Sequence, residues 1–385
     1  MTTSNVSPNG GKNPLKGLLD YGQSPWMDYI RRDLLTSGQL QKMIHDDGLR
    51  GMTSNPTIFE KAITGSDFYA DILESPEAKK LGAGGVYEKI AVRDVQDATD
   101  IFKPVYTETK RRDGYVSLEV SPLLANDTQA TIDEARRLWK LVGRENVMIK
   151  VPGTKEGVPA VRQLLEDGVN INITLLFAQS AYEQVAEAFF AALEARVKKG
   201  LDIGHIASVA SFFVSRIDTL VDSQIESKLK TVTDPNLRAL LSSLEGKIAI
   251  ANAKLTYRKY QEFVGSPRWK ALAAKGAQSQ RLLWASTSTK NPKYRDVLYV
   301  EELIGADTVD TIPPATFDAF RDHGRLRPSL TENVDEAAKT MANLEKAGIS
   351  MKEVTDKLVV DGVKLFAEAF RELLEATGKT AGVHA

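Results

Sequence analysis

The sequence predicts an α/β fold built on parallel strands, and three observations carry that expectation. Short Val- and Ile-rich runs alternate with longer charged stretches in which apolar residues recur every three or four positions. Glycines punctuate the joints, as at Gly114, Gly143, Gly168 and Gly204. No G-x-G-x-x-G follows the first run, which argues against the dinucleotide-binding version of such folds. Alternation of this kind implies parallel strands joined by right-handed crossovers. Eight strands would close a (β/α)8 TIM barrel, whereas seven or fewer would leave an open, doubly wound sheet.

Strand-like runs occur near Trp26–Tyr29, Leu49–Asn55, Tyr115–Ser121, Val147–Val151, Val169–Phe177 and Ile206–Phe213. Two more follow near Leu282–Ser286 and Thr308–Ile312. Helical periodicity marks Thr131–Val142, Val158–Glu166 and Ser180–Lys199 between them, and Glu332–Ala347 and Lys352–Ala376 after the last strand. The connections are uneven. The stretches 56–114 and 218–280 carry helical patterns and read as helical insertions rather than long loops. Gly82-Ala83-Gly84-Gly85 follows no strand and reads as a loop. Gly378-Lys379-Thr380 resembles the end of a P-loop, but Leu373 stands where that motif needs glycine. With no Pro/Gly/Ser linker inside the chain, one barrel domain over 17–385, preceded by a flexible tail over 1–16, is the simplest organisation.

Composition narrows the chemistry. In 385 residues, 50 Lys plus Arg balance 51 Asp plus Glu, so there is no strong field to capture nucleic acid or an anionic membrane. Cysteine is absent, which excludes disulfide scaffolds, thiolate metal sites and cysteine nucleophiles. No apolar run is long enough to span a bilayer and Met1–Lys16 has no signal-like apolar core, so a cytoplasmic location is expected. Four histidines, none at metal-ligand spacing, argue against a histidine-ligated metal site, and His205 reads as structural or superficial. No G-x-S-x-G elbow is present.

The strands themselves hold the informative signal. In a barrel the shell-facing side chains must be apolar and the alternate ones face the lumen. Val169, Ile171, Ile173 and Leu175 form one face of the fifth strand, with Asn170, Asn172 and Thr174 on the other. The third strand opposes Val116, Leu118 and Val120 to Ser117, Glu119 and Ser121. Met148 and Lys150 share a face of the fourth, Trp26 and Asp28 share one of the first, and the second ends in Thr53-Ser54-Asn55-Pro56. A purely structural lumen would be filled with branched apolar residues. Singly, each polar residue has a plain explanation: Glu119 as a salt-bridge partner of Lys150, Asp28 as a helix cap, Asn172 and Thr174 bonding one another. Jointly they read as an active site. An amine among carboxylates suits carbonyl chemistry, because desolvation favours the neutral, nucleophilic amine. Carboxylates then move protons as the imine forms and the adjacent carbon–carbon bond breaks.

Five segments carry a resemblance. They are Gly51-Met52-Thr53-Ser54-Asn55-Pro56, Leu118-Glu119-Val120, Ile149-Lys150-Val151-Pro152-Gly153-Thr154, Asn172-Ile173-Thr174-Leu175-Leu176-Phe177, and the run from Ser208 to Asp218. In this order they resemble the transaldolases, Schiff-base enzymes of the pentose phosphate pathway, in their longer bacterial-type subgroup. The resemblance implies a (β/α)8 barrel, a transferase that moves a dihydroxyacetone unit between sugar phosphates, and no cofactor or metal. It implies that Lys150 forms the imine, that Asp28 exchanges the proton of a substrate hydroxyl, and that Glu119 and Thr174 hold a catalytic water. Asn55, Asn172 and Ser211 would bond substrate hydroxyls, Phe213 would line the pocket, and Arg216 would bind phosphate. The second phosphate segment departs from the family pattern. Where shorter members carry Ser-x-Arg, this chain reads Ser286-Thr287-Ser288-Thr289-Lys290, so Ser286 fits and Lys290 is the available cation. Arg281, which precedes its strand-like run, is a weaker substitute because it should lie away from the catalytic end. An aldolase that releases free dihydroxyacetone, a pyridoxal-phosphate enzyme and a non-catalytic sugar-phosphate binder are the alternatives, and a homo-oligomer is left open.

Overall fold

The computed structural model describes residues 13–383, so most of the expected N-terminal tail lies outside the described residues. Within that stretch Pro14–Gly17 form a short helix, capped by the Asn13 side chain on the amide of Leu15.

Eight parallel strands close a barrel in sequence order. They are β1 (Gln23–Asp28), β2 (Gly51–Thr53), β3 (Tyr115–Glu119), β4 (Val147–Pro152), β5 (Ile171–Leu176), β6 (Ser208–Phe213), β7 (Arg281–Ala285) and β8 (Thr308–Ile312). Closure is the register of β1 on β8, from Gln23 opposite Thr308 to Met27 opposite Ile312. Each strand is buried on both faces, which is why β-branched and aliphatic residues dominate them. All eight expected strands are present.

Local chemistry sets the ends of the elements. β2 is shorter than its apolar run because Asn55 already caps the next helix, Pro56–Thr64, accepting the Ile58 amide, with Pro56 in the first turn. Gly51 lets Trp26 lie across β2, since a Cβ there would approach the indole to 2.5 Å. Gly143 and Gly168 adopt left-handed conformations that end the helices Thr128–Val142 and Gly157–Asp167. The insertions are helical: Pro56–Thr64, Ala70–Leu73 and Ala78–Glu108 lie between β2 and β3, and four helices from Ser215 to Ala273 lie between β6 and β7.

Two details correct the sequence reading. Gly82–Gly85 is no loop, because the helix from Ala78 to Glu108 passes through it with a break only at Gly82 (φ 67°, ψ 173°). Of the glycines that suggested a loop, Gly85 serves packing, as a Cβ there would come within 2.9 Å of Leu81. The alternation in β5 also fails at Leu175, whose φ of 61° marks a register shift between Ile173 and Leu176. Its side chain lies against Gly362 of the C-terminal helix, Met351–Ala381, rather than continuing the shell face.

The N-terminal end of the barrel is plugged by a buried ionic cluster. Arg281 Nη2 donates to Asp113 at 2.8 Å and Nη1 to Ser24 at 2.8 Å, and Ser24 donates in turn to Asp113 at 2.8 Å. Arg281 therefore lies at the end opposite the β-strand C-termini, as expected from its place in the strand. Arg281→Ala would leave the Asp113 carboxylate buried without its cation, at a cost of about 3–5 kcal/mol. The expected result is a lower urea midpoint with unchanged turnover; a wild-type midpoint would refute the structural assignment. No helix among the described residues is long and apolar enough to cross a membrane.

Candidate active site

At the C-terminal ends of the strands the barrel opens into a cavity of about 480 Å³. Asp28, Asn55, Lys150, Thr174, Ser211, Phe213, Arg216, Ser286 and Lys290 all line it. Nine of the eleven residues read from the sequence thus share one wall. The other two, Glu119 and Asn172, sit just behind it in the lumen.

Lys150 projects from β4, 5% exposed. Its Nζ lies 3.4 Å from Glu119 on the neighbouring strand, where register puts the two residues side by side, and it donates to the Ser54 carbonyl at 3.2 Å. Neither Glu119 oxygen has an aligned hydrogen-bond partner, and the Thr174 hydroxyl has none either. Three buried polar atoms on two side chains thus keep their bonding capacity unspent, which a structural cluster would avoid. Burial pushes the Glu119 carboxyl above the usual carboxylate range, and the Lys150 charge opposes that rise.

Asp28 ends β1 and is held by a directed chain of hydroxyls. Thr53 donates to Asp28 Oδ1 at 2.7 Å, and the Thr53 and Thr311 hydroxyls are 2.6 Å apart. With the Thr53 proton given to Asp28, Thr311 must donate to Thr53. Burial raises the Asp28 carboxyl above its ordinary range, against the lowering pull of Lys150, Thr53 and Lys290. Asn172 plays a different part from the one expected of it. Its amide donates to Ser117 at 3.0 Å and its carbonyl accepts from Ser211 at 2.6 Å. Beside Lys150 in the register but outside the cavity lining, it accepts the Ser211 hydrogen bond, leaving the hydroxyl oxygen as an acceptor.

The mouth is cationic. Arg216, in the first turn of the helix Ser215–Leu229, makes no ion pair or side-chain hydrogen bond among the described residues, and its guanidinium sits 5.3 Å from the Phe213 ring centroid. Among the described residues Lys290 bonds only the Ser288 hydroxyl, at 2.6 Å. Burial and then the Arg216 charge lower the Lys290 ammonium, against the raising pull of Asp28, and both cations line the same cavity. Such an arrangement favours an anion. The loop bearing Lys290 is anchored where Thr287 donates to Asp310 at 2.9 Å and Tyr294 donates to Asp222 at 2.7 Å. Burial pushes the Asp310 carboxyl up to about 8. Among the described residues, no group of three or more His, Asp or Glu is placed to hold a metal ion.

Sequence reasoning missed Thr311, Lys61 and Phe366, all of which line the cavity. Thr311 was discoverable, since alternation along β8 sets it on the same face as Val309, and register sets both beside Ser24 and Trp26 of β1. Phe366 left no local signal, because nothing in a helical stripe says which opening the helix will cross.

A closed parallel barrel with its polar cavity at the strand C-termini defines the class: this is a (β/α)8-barrel enzyme. The chain belongs to the Transaldolase/Fructose-6-phosphate aldolase family, whose model matches residues 25–377. It is 50% identical to the transaldolase of Trichodesmium erythraeum (strain IMS101) over 367 residues, 94% of this chain and 96% of that one. It is 47% identical to transaldolase 2 of Nostoc sp. (strain PCC 7120 / SAG 25.82 / UTEX 2576) over 94% and 96%. With the transaldolase of Thiobacillus denitrificans (strain ATCC 25259 / T1) the identity is 44% over 95% and 100%. The enzyme is accordingly a transferase.

Proposed function

We propose that the enzyme transfers a dihydroxyacetone unit from a ketose phosphate to an aldose phosphate through an imine on Lys150. Sedoheptulose 7-phosphate or fructose 6-phosphate is the donor, and glyceraldehyde 3-phosphate or erythrose 4-phosphate the acceptor. The observation that carries this reading is a buried amine beside an unsatisfied carboxylate, at the bottom of a cavity whose mouth holds two unpaired cations. Only the neutral amine attacks a carbonyl, and Glu119 is positioned to take the ammonium proton. Glu119 and Thr174 then hold the water that leaves and returns as the imine forms and hydrolyses. Asp28 takes the proton of the substrate hydroxyl as the carbon–carbon bond breaks, and returns it to the acceptor's aldehyde oxygen when the new bond forms. Asn55 and Ser211 bond the sugar hydroxyls, Phe213 bounds the cavity, and Arg216, Ser286 and Lys290 receive the phosphate.

Borohydride reduction with fructose 6-phosphate, followed by peptide mass spectrometry, tests the reading. A dihydroxyacetone-sized adduct on Lys150 is expected; no adduct on folded protein would overturn it. Release of free dihydroxyacetone is the second reading, favoured by the aldolases that share the family. Turnover of fructose 6-phosphate alone, compared with turnover in the presence of erythrose 4-phosphate, separates the two. Efficient cleavage without the acceptor would replace transfer by release.

Lys290 stands in for a second phosphate-binding arginine as a point charge rather than a fork. A hydrogen bond to a charged group contributes about 1.5–3 kcal/mol, so Lys290→Ala should raise KM for phosphorylated sugars roughly tenfold or more. The KM for unphosphorylated fructose should not change. An unaltered KM for the phosphates would move the contact elsewhere.

A further inference from the structure

The C-terminal helix, Met351–Ala381, crosses the barrel mouth and brings Phe366 into the cavity wall. The ring lies 5.7 Å from Lys150 Nζ and 5.8 Å from the Arg216 guanidinium carbon. It therefore spans the two groups that the proposed reaction uses at opposite ends of the sugar. Both distances are within reach of a cation–π contact. Gly362, one helical turn earlier on the same face, permits the approach: a Cβ there would lie 2.9 Å from Leu175 Cδ2 and 3.7 Å from Arg216 Nη1. With Phe213 at 5.3 Å and Phe366 at 5.8 Å, Arg216 contacts two rings, which hold its fork in place while leaving its N–H groups free for an anion.

We propose that Phe366 is a specificity-determining residue that seals the Lys150 imine from bulk water and holds Arg216 on the phosphate, coupling phosphate recognition to retention of the intermediate. The inference rests on the imine reading above. After cleavage, the three-carbon unit remains on Lys150 as an enamine with two fates. In transfer, its carbon attacks the acceptor aldehyde carbon and the aldehyde oxygen takes a proton; water then adds to the new imine carbon, the C–N bond breaks, and the product ketose leaves the regenerated Lys150 amine. In release, the carbon takes a proton and water adds to the resulting imine carbon. The C–N bond then breaks, the water oxygen becomes the ketone oxygen of dihydroxyacetone, and the amine returns to Lys150. Closure suppresses the second path by keeping bulk water, the source of the proton that the enamine carbon would take, away from that carbon, while the water held by Glu119 and Thr174 still serves imine hydrolysis. A ring touching both Lys150 and Arg216 makes closure tightest when a phosphate is bound.

The test compares Phe366→Ala and Phe366→Leu with wild type. The readouts are the borohydride adduct, free dihydroxyacetone released per transfer, and KM for erythrose 4-phosphate against unphosphorylated erythrose. In Phe366→Ala, release per transfer should rise on the order of tenfold and the preference for the phosphorylated acceptor should fall several-fold. Phe366→Leu keeps bulk but loses the ring face, so release should stay low while the phosphate preference falls. If wild type forms the adduct and both variants, melting like wild type, keep its release ratio and phosphate preference, the role of Phe366 is wrong and the imine reading stands. If wild type forms no adduct, the imine reading falls and this inference falls with it.

Discussion

Lys150→Met is expected to reduce transfer on the order of a thousandfold or more, the scale of losing a covalent nucleophile. Methionine matches the lysine in length and fills the same path through the lumen, so the barrel should still close. The difficulty lies with Glu119, whose counter-cation disappears. Burial already raises that carboxyl, and the Lys150 charge was what opposed the rise. Without it, Glu119 in the folded variant binds its proton more tightly than in wild type. The folded carboxyl then titrates above the unfolded one, so its favourable contribution is present at low pH and is lost as pH rises toward the folded value. The variant should therefore melt nearest to wild type in mild acid and fall further behind as the buffer becomes alkaline. Activity, adduct mass and melting curves at two pH values measure all of this on one preparation. Turnover within tenfold of wild type would remove Lys150 from the chemistry.

Much of this site was legible because strands alternate. A polar residue on an otherwise apolar strand of a closed barrel has only the lumen to face, so Asp28, Glu119, Lys150 and Thr174 group together from the sequence alone. Alternation does not report which inward residues reach the cavity lining: Asn172, expected to bond substrate, lies outside that lining and binds Ser211. It also fails where the backbone departs from the strand, as at Leu175, whose positive φ turns it toward the C-terminal helix. The amphipathic stripe from Lys352 to Ala376 announced a helix with a buried face. What that face covers depends on where the last crossover delivers the chain. Phe366 is separated from Lys150 by four strands of the barrel, and no local pattern connects them. Lys290, by contrast, was singled out because the family pattern expects an arginine after Ser286 that this chain lacks, and it lines the cavity.

Asp28→Asn is expected to lower transfer by roughly a hundredfold to ten-thousandfold, the range for removing a general base. Asparagine keeps the shape, and its carbonyl oxygen still accepts from Thr53, so the loss belongs to proton transfer rather than to geometry. In the proposed reaction Asp28 acts at the carbon–carbon bond and Glu119 at the imine, so the variant should still form the imine but fail to cleave. Borohydride should then trap the whole sugar phosphate on Lys150, a heavier adduct than the three-carbon unit trapped in wild type. The pH profile provides a second, independent check. Asp28 must be ionised to accept a proton, and burial raises it above the usual aspartate range. Wild-type transfer should therefore fall as pH drops through that raised value, earlier than an exposed aspartate would dictate. That acidic limb should be absent from the residual activity of Asp28→Asn. A three-carbon adduct accumulating in the variant at the wild-type rate, or an unchanged acidic limb, would assign the proton transfer to another group. Glu119, raised by the same burial, is the one to substitute next.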